Sequence, residues 1–410
     1  TGSIAAFKAA ELASQLAQSG VQLDVILTPA AEKFITPLTL QSVTGRHAFT
    51  EADLWGGEAH ILHVGLAQGA DLLVIAPCTA NTLASLAQGQ ANNLLTITAL
   101  AARCPVLIAP AMDGGMFDHP ATRANLDILL RRGAYIAGPA EGHLASGLLG
   151  KGRLIEPQEL IGHIRLVLGR RGPLAGRRFV ISAGGTQEPL DPVRVLTNRS
   201  SGKQGYALAQ AAIDAGAAVT LISAPAALPP PVGAQLVRVE TARQMLDAVL
   251  AEASGADALI MAAAVADFRP RRAASDKMKT RDGVPHIELE ATQDILQAVA
   301  ALSRSPEPAG PDAPGPASEL PHGAPFIPPR LTVGFAAESR DLIDNAVEKL
   351  HAKRLNMIVA NDISAPDAGF GADTNRVTII HENGDRDTLP LLTKAEVAEA
   401  IIERIARRLE

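Results

Sequence analysis

Three kinds of residue in this chain have chemistry to offer: a histidine, small hydroxyl- and glycine-rich turns, and lysines set in pairs. His63, in Leu62-His63-Val64, carries an imidazole that exchanges a proton near neutral pH; it suits acid–base work, and a merely polar histidine looks the same. Gly2, Ser3 and Ile4 stand at a helix start, Thr28 follows an apolar run, and Pro77-Cys-Thr-Ala-Asn-Thr82 follows another. Small hydroxyl residues with free backbone N–H groups there suit a phosphate, although helix capping uses the same residue types. In Ser182-Ala-Gly-Gly-Thr186 the glycine pair lets backbone amides approach an anion closely, or simply makes a tight strand-to-helix turn. It is neither a Walker loop nor the full dinucleotide fingerprint. Lys277 and Lys279 stand two apart and Lys349 and Lys353 four apart, the latter on one side of a helix. Such cations meet phosphate charge or form an ordinary solvated face.

These residues need strand ends to stand on. The runs Val21 to Leu27, Asp71 to Ala76 and Pro105 to Ala109 each close at or just before a proline, with helical patterns such as Ile4 to Ala17 between them. Phe179 to Ser182, Ala218 to Ser223, Ala258 to Ala262 and Asn356 to Ala360 repeat the cadence. This βαβ alternation predicts an α/β chain with two doubly wound, Rossmann-like parallel sheets, whose ligands bind at the carboxyl ends of strands. The expected domains are 1–168 and 178–410, joined by a basic Gly/Pro linker at 169–177, with a flexible Pro-rich insertion near 303–329. Thr241 with Gln244 and Thr393 with Glu396 have capping-box spacing, and Asn383-Gly384 predicts a type I′ hairpin turn.

Length and composition agree. A chain of 410 residues, 47% apolar but only 3% aromatic, exceeds one core and suits parallel sheets buried under helices. With 37 basic and 43 acidic residues the net charge is −6, which argues against nucleic-acid or anionic-membrane partners. Two cysteines, Cys78 and Cys104, without CxxC spacing argue against a disulfide scaffold or structural zinc; no residue stands out as a metal ligand. No apolar stretch is long enough to span a membrane and no signal-peptide profile opens the chain, so a cytoplasmic setting is expected. The abrupt opening at Thr1-Gly2-Ser3 reads as the loop after a strand, so a preceding segment is expected.

Gly2-Ser-Ile-Ala-Ala-Phe7, Leu62-His63-Val64, Ala76-Pro-Cys-Thr-Ala-Asn81 and Pro110-Ala-Met112 resemble the homo-oligomeric flavin-containing cysteine decarboxylase family over residues 1–168. The resemblance implies a flavodoxin-like domain that binds FMN through Gly2, Ser3, Ile4, Thr28, Thr79, Asn81, Thr82, Ala111 and Met112. It makes His63 the catalytic histidine and implies oxidation of a cysteine thiol, loss of the adjacent carboxylate as carbon dioxide, and reduction of the ene-thiol. Two positions depart from the family: Asp113 replaces an asparagine that holds the substrate carboxylate, and Ser146, in Ala145-Ser146-Gly147, replaces a flap cysteine. Three outcomes stay open for this domain: a full decarboxylase with another proton donor, a partial reaction, or a non-catalytic binding scaffold.

Gly184-Gly-Thr-Gln-Glu-Pro-Leu-Asp-Pro-Val-Arg194, Asn198-Arg-Ser-Ser-Gly-Lys203, Ala262-Ala-Ala-Val-Ala-Asp-Phe268, Asp276-Lys-Met-Lys279 and Gly334-Phe-Ala-Ala-Glu338 resemble the phosphopantothenate–cysteine ligase family over 173–410. In that family the 4'-phosphopantothenate carboxylate attacks the α-phosphate of CTP, pyrophosphate leaves, and cysteine's amine then displaces CMP from the acyl-cytidylate. The resemblance puts Gly184, Gly185, Thr186, Ala263, Ala264, Asp267, Lys277, Lys279, Asp294, Ile295, Phe335, Lys349 and Lys353 at the CTP, and Asn198 and Arg194 at the acyl-cytidylate, with Mg²⁺ assisting. Gln293 stands where the family has proline before Asp-Ile. The fusion order resembles bacterial bifunctional members of coenzyme A biosynthesis, and it implies CTP rather than ATP, trimeric flavin domains and dimeric ligase domains.

Overall fold

The structure is a computed structural model that describes residues 1–55, 61–279, 284–303, 325–338, 341–362 and 371–410. Two compact units divide it, Thr1–Leu168 and Gly169–Glu410.

In the first unit a 3-10 turn capped by Ser3 leads into α1 (Phe7–Gln18), which buries Leu12, Ala13 and Leu16. Three parallel strands, β1 (Leu73–Cys78), β2 (Val106–Pro110) and β3 (Tyr135–Ile136), pair Leu73 with Val106 and Leu107 with Tyr135. α2 (Ala80–Gln88) follows β1 and is capped by Thr79. An antiparallel hairpin of β4 (Ala140–His143) and β5 (Leu149–Arg153) closes the order. The run Val21 to Leu27 is regular only at Val25–Ile26, because its parallel partner Ala48–Phe49 is equally short; Leu27 still donates to the Phe49 carbonyl at 2.8 Å. β1 continues past the expected stop at Ala76 to Cys78, whose carbonyl accepts from Ala111 N at 2.9 Å.

In the second unit β6 (Arg178–Ala183) is followed by a small ribbon of β7 (Gln187–Pro189) and β8 (Val195–Thr197), then α3 (Lys203–Asp214), β9 (Ala218–Ser223), β10 (Gln235–Arg238) and α4 (Ala242–Ala253). β11 (Ala258–Met261), α5 (Ile295–Leu302), β12 (Leu331–Glu338), α6 (Leu342–Ala352), β13 (Met357–Asp362), β14 (Val377–His381), β15 (Arg386–Thr388) and α7 (Lys394–Leu409) complete it. The sheet order is β10-β9-β6-β11-β12-β13-β14-β15, parallel through β13 and antiparallel at the β14–β15 edge. Phe179, Val180 and Ile181 are fully buried, as a strand covered on both faces requires.

Both expected capping boxes form, at Thr241/Gln244 and Thr393/Glu396. The Asn383-Gly384 hairpin exists, but its turn is not type I′, because only Gly384 takes positive φ. Asn383 instead accepts from Asp385 N at 3.1 Å, an Asx-type bond that lengthens the loop until it closes between His381 and Asp385. The stretch expected as a linker makes close contacts. A side chain on Gly169 or Gly172 would strike the Ile213 or Ala215 carbonyl, and Leu174 is buried and bonded to Ala215 O at 2.8 Å. Of the expected Pro-rich insertion, 304–324 lie outside the described residues; beyond them Phe326 is buried in the core with Met245, Leu246 and Val299.

Phe179→Ala is expected to destabilise the second unit by about 3–5 kcal/mol. Native-state hydrogen exchange at β9 and β11 amides reads this, and unchanged protection would contradict the central place of β6.

Candidate functional site

In the first unit a cleft of about 510 Å³ opens at the carboxyl ends of the parallel strands. Gly2, Ser3, Thr28, Thr79, Asn81, Thr82, Ala111 and Met112 line it, together with Pro29, Ala30, Ala80, Asn93 and Met116. The hydroxyls are partly committed: Ser3 Oγ accepts from Ala5 N at 3.3 Å, Thr28 Oγ1 from Ala31 N at 3.3 Å and Thr79 Oγ1 from Thr82 N at 3.3 Å. A hydroxyl that accepts as a cap keeps its own O–H to donate, so capping and anion binding coexist in one residue. Gly2 is required for the approach, since a Cβ there would lie 2.4 Å from Ala30 Cβ.

Ile4 and His63 are not among the lining residues; Ile4 is exposed, and His63 sits in the short helix Leu62–Gln68 with its Nδ1 buried and unpartnered among the described residues. Cys78 is buried, which pushes its thiol pKa up to about 12 and makes it inert at neutral pH.

Asp113 and Ser146, the two departures from the family pattern, touch. Ser146 Oγ donates to Asp113 Oδ2 at 2.6 Å, and Gly115 N donates to Oδ1 at 3.0 Å. Ser146 lies in the β4–β5 turn, and that hairpin docks on the loop after β2 through Met112 N to Gly152 O at 2.9 Å. Gly152 permits this, because a Cβ there would meet Met112 O at 2.1 Å. The Ser146 hydroxyl, then the Gly115 N–H, hold the Asp113 pKa below its ordinary value, so the carboxylate is ionised at neutral pH.

In the second unit β6 connects to β9 and β10 on one side of the sheet, while β11, β12 and β13 lie on the other. The switch point of a doubly wound sheet, its usual ligand crevice, is therefore between β6 and β11. There Gly185 bridges to Ala264, Ala264 N donates to Gly184 O at 2.8 Å and Thr186 N to Ala264 O at 3.2 Å. Asn198, exposed, reaches in from beyond β8 and donates to the Ala264 and Val265 carbonyls at 3.4 and 3.2 Å. Thr292 N donates to Asp267 O at 2.9 Å, Asp294 caps α5, and Lys353 pairs with Asp294 at 2.8 Å. Lys349 and Lys353 line a second cleft of about 270 Å³ between α5 and α6, with Gln297, Asn345 and Glu348. Lys277 and Lys279 are both exposed, and Arg194 donates to the carbonyl of Met278 between them at 3.1 Å.

Two expected contacts face elsewhere. Thr186 is fully buried and its hydroxyl accepts from Ala266 N at 2.9 Å, while the Ile295 side chain joins the core; each has only backbone to offer a ligand. Phe335, in β12, is half-buried. The sequence reading missed Ser182, whose hydroxyl accepts from Ala263 N at 3.1 Å, and two buried acids, Glu188 and Asp191. An aspartate between Leu190 and Pro192 was an available signal for an Asx turn.

Comparison with known proteins decides the family. The Flavoprotein family profile matches residues 1–168, and that of the DNA/pantothenate metabolism flavoprotein C-terminal domain matches 174–308 and 324–409. Among curated relatives, the coenzyme A biosynthesis bifunctional protein CoaBC of Bacillus subtilis (strain 168) is 41% identical over 409 residues, covering 99% of this chain and 95% of that protein. The protein of the same name from Vibrio cholerae is 42% identical over 407 residues, covering 99% and 96%. That of Mycobacterium tuberculosis (strain H37Rv) is 40% identical over 415 residues, covering 99% and 94%. This chain belongs to the family of bifunctional coenzyme A biosynthesis proteins. Its first unit is a flavoprotein domain, and among the described residues no helix is long and apolar enough to cross a membrane.

The Asp113–Ser146 bond makes a pH-dependent tie. Because the folded pKa of Asp113 is depressed, its contribution to hairpin docking is complete above the unfolded value of about 3.9 and fades as pH falls through the folded one. Ser146→Ala is expected to raise the Asp113 pKa in a carboxyl-carbon NMR titration; an unmoved midpoint would show that the bond does not form.

Proposed function

We propose that the second unit joins 4'-phosphopantothenate to cysteine at the expense of CTP and that the first decarboxylates the product to 4'-phosphopantetheine with FMN. The observation that carries the ligase half is the chain of contacts across the β6–β11 switch point, which gathers the Gly184-Gly185 turn, Ala264 and Asn198 at the carboxyl ends of these strands. The attacking carboxylate and the triphosphate are both anions, so the chemistry needs fixed donors and cations more than a nucleophile. Free amides at the glycine turn meet phosphate oxygens, Lys277, Lys279, Lys349 and Lys353 offset their charge, and the Arg194 fork with the Asn198 amide holds the acyl-cytidylate. Bond formation to the α-phosphorus releases pyrophosphate; attack of the cysteine amine on the acyl carbon then forms the amide, releases CMP and sheds one proton. Mg²⁺ would help these groups offset the triphosphate charge.

The first unit's cleft fits FMN. Its volume is that of a cofactor site, the Ser3, Thr28, Thr79 and Thr82 hydroxyls suit the phosphate, and Ala111, Met112 and Met116 give an apolar wall for the ring system. The flavin, when bound, takes up and returns the electron pair exchanged with the substrate's thiol-bearing carbon. His63 would move the thiol proton, and Asp113 with Ser146 would hold the hairpin against the loop that carries Met112. Full-length similarity to bifunctional relatives favours two working halves over an inert flavin scaffold. Two free cysteines suit a reducing cytoplasm, and oligomers with trimeric flavin units and dimeric ligase units are expected from the family.

Lys277→Gln should cut CTP-dependent pyrophosphate release by about tenfold to 100-fold, the weight of a charge-assisted bond, while carbon dioxide release from supplied phosphopantothenoylcysteine persists. Unchanged pyrophosphate release would refute the nucleotide site. His63→Asn should do the converse, lowering carbon dioxide release by about 10²–10⁴-fold with ligation intact; normal decarboxylation by this variant would remove His63 from the reaction.

A further inference from the structure

A buried carboxylate stands beneath the ligase loops. Asp191 is only 3% exposed, yet it makes four hydrogen bonds with donors from two separate segments. Its Oδ1 accepts from Val193 N and Arg194 N, both at 2.8 Å. Its Oδ2 accepts from Arg194 Nη1 at 2.8 Å and from Met278 N at 3.2 Å. Arg194 Nη1 also donates to Met278 O at 3.1 Å, so both backbone polar groups of Met278 are held by one ion pair. Met278 is half-buried and Lys277 and Lys279 are exposed. Fixing the backbone of Met278 restrains the two exposed lysines that flank it.

We propose that Asp191 is a positioning residue for ligation: with Arg194 it clamps the Met278 backbone to the turn before β8, so that the guanidinium and the two lysine charges reach the anionic substrates as one pre-assembled group. Burial pushes the Asp191 carboxyl up, but N–H donation from Val193, Met278 and Arg194, with the Arg194 charge, outweighs it and leaves the pKa below its ordinary value. The clamp is therefore charged at neutral pH. A neutral amide in its place would keep one acceptor for the Val193 and Arg194 N–H groups and turn an NH₂ toward the Arg194 and Met278 donors. A second tie, Ala274 N to Leu190 O at 2.9 Å, keeps the segment attached upstream, so loss of the clamp frees the residues around Met278 first.

The proposal rests on the ligase reading, and its test separates the two. In the full chain, Asp191→Asn should raise tryptic cleavage after Lys277 by about tenfold relative to cleavage after Lys33, as expected when one charge-assisted bond that limits opening is lost. The KM for CTP or phosphopantothenate should rise about tenfold, with carbon dioxide release from supplied phosphopantothenoylcysteine unchanged. Met278→Pro, which removes the N–H that bonds Oδ2, blocks cutting at Lys277 because trypsin does not cleave a Lys–Pro bond, but should raise cleavage after Lys279 as Asp191→Asn does, and serves where Asp191→Asn fails to fold. Unchanged cleavage in both variants overturns the clamp, and faster cleavage with unaltered ligation overturns its role in the reaction. If the unaltered protein releases no pyrophosphate, the ligase reading itself falls, whatever the cleavage shows.

Discussion

Everything proposed for the second unit depends on the crevice that opens between β6 and β11, where the chain reverses its direction of winding across the sheet. Strands on either side of such a point send their following loops apart, and the gap leaves backbone N–H groups facing outward. Close contact between the two loops is what holds the gap to a fixed width. Beside the Gly185–Ala264 bridge the Asn198 carbonyl comes close, so that a Cβ on Gly185 would lie 3.0 Å from it and push it back by a few tenths of an ångström. Buried hydroxyls finish the frame: Ser182 and Thr186 each accept an N–H from the loop after β11. The site is thus built mainly of backbone, which suits a ligand recognised by its phosphates.

Acids in this frame act as struts. Asp191 gathers N–H groups, Glu188 accepts from Ala242 N at 2.7 Å at the start of α4, and Asp294 caps α5 while holding Lys353. In each case the carboxylate is met by a helix or turn N–H or by a cation, so its charge is offset where it stands. In a chain of net charge −6, these three paired carboxylates set less negative charge against an anionic substrate than free ones would.

Much of this was legible in the sequence because parallel strands advertise themselves. Continuous apolar runs such as Phe179–Ser182 and Ala258–Ala262 can only be doubly buried, and a hydroxyl three residues ahead of Gln244 or Glu396 marks a helix start. What stayed hidden depends on which way a side chain faces. Thr186 is expected at the nucleotide but turns its hydroxyl inward to Ala266 N, and Ile295 turns into the core; neither direction follows from residue type. The packing of the Gly/Pro stretch near 172 is not legible, because composition cannot distinguish glycines that grant freedom from glycines that grant close packing. Asp191 was passed over for a related reason: a surface turn aspartate and a buried one have the same letters around them.

The paired departures in the flavin unit show the same limit from the other side. Taken alone, an aspartate in place of asparagine brings an anion toward a substrate carboxylate, and a serine in place of cysteine removes an acidic donor. In the fold the two changes answer each other, since the serine hydroxyl donates to one oxygen of the aspartate and a backbone N–H to the other. An asparagine there would present an amide that can donate outward; the aspartate, with donors on both oxygens, turns its charge to the hairpin instead. A substrate carboxylate in this cleft would then meet a donor other than residue 113, and besides its hydroxyls the cleft wall offers the side-chain amides of Asn81 and Asn93.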